Sequence, residues 1–82
     1  MKNILMKLSG RTKVKEFSIR LREVRKDSGM SQGDVASEIG VTTSAYANYE
    51  QGIREPSLKI LKAICDTLDV SCDYLLGRDD WL

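Results

Sequence analysis

The sequence predicts an all-α protein, a compact domain built from five short helices. Three observations lead there. The chain has 82 residues, 41% hydrophobic and 30% charged, which is the size and make-up of one small globular domain. Its apolar residues recur at helical spacing, while the alternating β-branched runs that a sheet needs are missing. The apolar stretches after the first are also bracketed by start and stop signals, with Ser or Thr ahead and Gly or a loop behind. Short helices with local contacts can enclose a core at this length.

The first helix is expected over about 16–27, where Phe17, Leu21 and Val24 form a stripe at i, i+4 and i+7 and Ser28-Gly29 ends the run. Met30 is placed to act as a hydrophobic staple ahead of the Ser31 cap. Ser31 and Asp34 make an S-x-x-D capping box for the second helix, and its apolar face is Val35, Ala36 and Ile39. Gly40 stops it, and Val41 fills the angle to a third helix that Thr42 caps. Two helices crossing at so short a connection form a helix-turn-helix.

The third helix divides by position. Tyr46, Tyr49 and, one turn on, Ile53, with Ala45 beside them, are expected to face the core, the tyrosine hydroxyls lying at its edge. Thr43, Ser44, Ala47, Asn48 and Gln51 share the opposite face, and Gly52 closes the helix. Ile53-Arg54-Glu55-Pro56 is a loop, because Pro56 biases Glu55 away from helix. Ser57 caps a fourth helix whose stripe is Leu58, Leu61, Ile64, Cys65 and Leu68. Val70 enters the next turn, Ser71 caps a last short helix with Leu75 and Leu76, and Gly77 ends it.

Taken in order, RLREVRKDSGMSQGDVASEIGV, TTSAYANYEQGIREPS and LKILKAICDTLDVSCDYLLG resemble the phage-repressor and Cro-like helix-turn-helix family, the xenobiotic-response-element-type DNA-binding regulators, over residues 17–77. The resemblance implies a lambda-repressor-like fold, double-stranded DNA as partner, and a sequence-specific regulator, a repressor that binds a palindromic operator as a homodimer. It also implies a phosphate contact from Gln32 at the start of the second helix and a partly buried ion pair between Arg25 and Glu50. Base contacts would fall to Thr43, Ser44, Ala47 and Asn48. Asn48 suits bidentate contact with adenine, and the Thr43 methyl can meet a thymine methyl. Gln51 stands at the margin as a phosphate contact, and Arg54 is either a phosphate contact or a solvated loop residue. No Arg or Lys occurs from Thr43 to Gln51, so the common arginine-to-guanine contact is missing and the site is expected to lean on A·T pairs, groove shape and phosphates.

Charge is lopsided. Residues 1–31 carry nine Lys/Arg against three Asp/Glu, +6, and residues 32–82 carry four against nine, −5, which together give the formal +1 of the chain. This reads as an electrostatic footprint on one side of the molecule, or as uneven solvated charge. Residues 1–14 form a basic segment with three readings: an arm reaching DNA, an unstructured end, or a short helix with Ile4, Leu5 and Leu8 on one face. The domain proper is assigned to 15–77 and a tail to 78–82. Trp81-Leu82 and the last helix are candidates for dimerisation, Trp81 being equally readable as a loose end.

Histidine is absent and the cysteines form no C-x-x-C pair, so neither a zinc site nor a His-based triad can be built, and no cofactor or enzymatic activity is expected. Cys65 and Cys72 read as packed or surface thiols in a cytoplasmic, reducing setting. The apolar patches at Ile4-Leu5-Met6 and Leu8 are too short for a signal segment or a membrane span. The alternative function is an antitoxin-like or anti-regulator module with a protein partner and secondary DNA binding.

Overall fold

The computed structural model describes the backbone of residues 10–78 and the side chains of residues 15–78. The described residues form α1 (Gly10–Ser28), α2 (Gln32–Ile39), α3 (Thr43–Gln51), α4 (Leu58–Leu68) and α5 (Cys72–Leu75), with no strand among them. The expected first helix begins earlier than its apolar stripe suggests, at Gly10 rather than near Glu16. Apolar spacing reports only the part of a helix that packs, and the residues before Glu16 contain no proline to stop it. Residues 10–14, assigned above to the basic segment, therefore continue α1; residues 1–9, and the tail from 79 with Trp81, lie outside the described residues.

Caps set most of the boundaries. Ser31, Thr42, Ser57 and Ser71 each accept from the backbone N–H three residues on, at 3.0, 3.0, 3.2 and 3.0 Å. At Ser31 the box is reciprocal, with the Asp34 carboxylate accepting from the Ser31 N–H at 3.0 Å. That bond holds the Asp34 carboxyl below its usual range. The helices α2 and α3 both end on a left-handed glycine, Gly40 (φ 79°) and Gly52 (φ 75°). In each case the N–H of the following residue closes back on the helix: Val41 on the Ala36 carbonyl and Ile53 on the Asn48 carbonyl, both at 3.0 Å.

The core gathers Phe17 and Leu21 of α1, Val35, Ala36 and Ile39 of α2, Tyr46 and Tyr49 of α3, Ile64, Cys65 and Leu68 of α4, and Leu75 of α5. Val24, Met30, Val41 and Leu61 pack against its margin. The two tyrosine rings meet edge to face with centroids 6.2 Å apart. Ser18 is buried where α1 passes the end of α3: a Cβ on Gly52 would lie 3.5 Å from the Ser18 Oγ. Small residues there allow the two helices to approach.

Several expectations are corrected. Ile53, assigned to the core, is 67% exposed, because helical spacing ends with α3 at Gln51 and the glycine reversal carries the next residue off that face. Leu58 is 84% exposed: it is the first residue of α4, ahead of the turns that pack. Leu76 lies just past α5 and is 39% exposed, while Leu75 is fully buried. The Tyr46 hydroxyl is enclosed instead of lying at the edge. Cys65 and Cys72 are joined as a disulfide between α4 and α5, with Cα atoms 5.7 Å apart. The tight Asp69–Ser71 turn returns the chain onto the last turns of α4, a juxtaposition that the seven-residue separation does not announce.

Candidate nucleic-acid interface

The geometry of α2 and α3 follows from their contacts. The short Gly40–Thr42 connection lets α3 cross α2, and the starts of the two helices come together: a Cβ on Gly33 would lie 3.6 Å from the Thr43 Oγ1. Gln32, at the start of α2, and Thr43, at the start of α3, are thus neighbours on one side of the molecule. Thr43, Ser44 and Gln51 are exposed, and Ala47 and Asn48 are half-buried along the same side of α3. The Asn48 carbonyl accepts from the N–H groups of Ile53 and Arg54, at 3.0 and 3.3 Å, which ties the following loop and its exposed Arg54 to the end of this face.

Beneath that face lies a charged cluster. Glu50 is 4% exposed, and its carboxylate accepts from Arg25 Nε at 2.5 Å and Arg25 Nη2 at 3.2 Å. Such a two-point pairing of guanidinium and carboxylate is both strong and directional. Arg25 Nη1 donates to the Met30 carbonyl at 3.0 Å. Gln32 Nε2 donates to Glu50 Oε1, also at 3.0 Å, and Arg22 Nε stands 4.0 Å from that oxygen. Burial pushes the Glu50 carboxyl upward, but the hydrogen bonds from Arg25 and Gln32 and the guanidinium charge outweigh it, leaving the group below its usual range. The same hydrogen bond raises Arg25 further above its already high value. Tyr46 abuts the pair; burial, then the Glu50 carboxylate, drives its phenol strongly upward, so the hydroxyl stays neutral. That hydroxyl makes no well-formed hydrogen bond among the described residues.

The structure therefore brings Gln32, Arg25 and Glu50 into one network and sets Thr43, Ser44, Ala47 and Asn48 along one side of α3. The Gln32–Glu50 bond and the part played by the Met30 carbonyl have no counterpart in the sequence reading. A glutamine 18 positions from its acceptor leaves no local signal. The N-terminal cations are also not all available to a ligand. Arg20 is held by Glu16 at 2.7 Å, by the Tyr74 carbonyl at 2.7 Å and over the Tyr74 ring at 4.4 Å, and Arg25 is occupied as described.

An all-helical domain with two capped helices crossing at a glycine turn, and a polar outer face on the second, is a helix-turn-helix protein. The helix-turn-helix family profile matches residues 21–75, and the chain belongs to that family. It is 45% identical over 60 residues to the HTH-type transcriptional regulator AnsR of Bacillus subtilis (strain 168), covering 73% of this chain and 52% of AnsR. It is 39% identical over 66 residues to the cryptic phage CTXphi transcriptional repressor RstR of Vibrio cholerae, covering 80% of this chain and 56% of RstR. The chain thus spans about half the length of these curated relatives. Among solved structures it is similar to the P22 c2 repressor protein in complex with a synthetic operator. The TM-score is 0.73 at 32% identity, covering 77% of this chain and 96% of that one.

Proposed function

We propose that the protein is a sequence-specific DNA-binding transcriptional regulator, a repressor that places α3 in the major groove of an operator. The observation that carries this reading is the division of α3. Its inward residues, Tyr46, Tyr49 and Glu50, are buried, while Thr43, Ser44, Ala47 and Asn48 lie on the other side with short side chains that permit close approach to base edges. The likeness to a repressor solved in complex with a synthetic operator supports double-stranded DNA as the partner. Gln32 and Arg54, with Gln51 at the margin, take phosphates, and the α2 N-terminus adds its free N–H groups to that grip. Asn48 reads adenine, and the face without Arg or Lys favours A·T-rich half-sites. A single small domain covers limited DNA, so binding as a homodimer to a two-fold symmetric operator follows, with half-sites about 34–36 Å apart. No helix among the described residues is long and apolar enough to cross a membrane.

Selection of duplexes from a random-sequence pool tests this directly. Recovery of an A·T-leaning palindrome is expected, and recovery of no preferred sequence at low salt would sink the reading. A protein-interaction module is the second reading, favoured by exposed Ile53 and Leu58 flanking the loop after α3. It predicts that selection fails while a stoichiometric protein complex forms.

A further inference from the structure

We propose that Glu50 is a positioning residue for DNA binding, accepting one hydrogen of the Gln32 amide and thereby holding the other toward an approaching phosphate. This rests on the reading of Gln32 as a phosphate contact. A carboxylate can only accept, so the amide nitrogen and not the oxygen must face Glu50. With Nε2 at 3.0 Å from Glu50 Oε1, one N–H is committed to the carboxylate, and the second has no acceptor among the described residues and belongs to a residue that is only half-buried.

Glu50 does not meet DNA itself, being 4% exposed. Nor does Arg25, whose three guanidinium nitrogens already have acceptors in Glu50 and the Met30 carbonyl. The bonds instead run as a chain from α1, through the last turn of α3, to the first residue of α2. The carboxylate is neutralised by Arg25, so it can sit behind a phosphate contact without repelling the phosphate. A long glutamine side chain left free would have to be ordered when DNA arrives, and ordering it beforehand removes that entropic penalty. Because Glu50 belongs to α3, the phosphate donor and the base-reading face are fixed to the same helix.

The test is a double-variant cycle on a duplex recovered by selection from a random pool, at a temperature where circular dichroism shows each variant folded. Gln32→Ala is expected to weaken binding by about ten- to a hundredfold, the value of a hydrogen bond to a charged group. Glu50→Gln should weaken it by about two- to tenfold in the wild type and add nothing in the Gln32→Ala background. Equal losses from Glu50→Gln in both backgrounds overturn the positioning role while leaving Gln32 a phosphate contact. A Gln32→Ala protein that binds normally removes the phosphate contact and the positioning role together. Should Glu50→Gln not fold, side-chain nitrogen relaxation in the free wild-type protein decides: the Gln32 amide is expected to be as rigid as the helix backbone, and an amide as mobile as that of exposed Gln51 overturns the proposal.

Discussion

The two sides of α3 are built from the same nine residues yet obey different physics. Inward, Tyr46 and Tyr49 fill the core and Glu50 is held by Arg25 and Gln32. Outward, Thr43, Ser44 and Gln51 are exposed. The inward side fixes where the helix lies, and the outward side is left free to vary in chemistry without disturbing the fold. A reading head of the kind proposed for α3 has to be rigid in position and adaptable in surface, and this division would supply both.

The sharpest way to break that contrast is Arg25→Ala, which strands the buried Glu50 carboxylate. A loss of about 3–5 kcal/mol is expected in chemical denaturation. The loss should carry a pH signature. Glu50 titrates lower in the folded protein than in the unfolded chain, so its contribution to stability is present above the unfolded carboxyl value. It disappears as pH falls through the lowered folded one. Removing Arg25 should erase that acid-side dependence, and a variant with an unchanged melting temperature would show that the pair does not hold the inward side.

On the outward side, Asn48→Ala should lower DNA affinity by about 1–3 kcal/mol at a single base step, with stability changed by less than about 0.5 kcal/mol. A uniform loss over all sequences would make Asn48 a backbone contact. The contrast extends to the turns that flank α3. Val41, packed against the core margin at its entry, should cost about 1 kcal/mol when cut to Ala. Tyr46→Phe removes a buried hydroxyl without a well-formed partner, so stability should stay level or rise by up to about 1 kcal/mol; a clear fall would mean that this hydroxyl donates to Glu50. Ile53→Ala, at the exit, should change melting by the least, under about 0.5 kcal/mol.

Val41 and Ile53 also show how far the fold was legible. Each follows a left-handed glycine and makes the same backbone closure, and both were assigned to the interior from sequence. Only Val41 is covered, because α3 returns across it, whereas the chain after Ile53 runs out into the loop toward Pro56. The site divides in the same way. Sequence and family resemblance single out Gln32, Arg25 and Glu50 with separate roles, and the fold joins them through a bond between residues 18 apart.

The sequence by itself determined the caps, the glycine stops, the helical faces of α2 and α3 and the all-α class, since each depends on residues within about one turn of one another. The tertiary structure alone decided that Ile53 and Leu58 stay outside, that Cys65 meets Cys72, and that the Tyr46 hydroxyl is enclosed beside a buried ion pair. Those outcomes depend on which surface another helix covers. Spacing along a chain records periodicity, but burial is a property of the packed assembly.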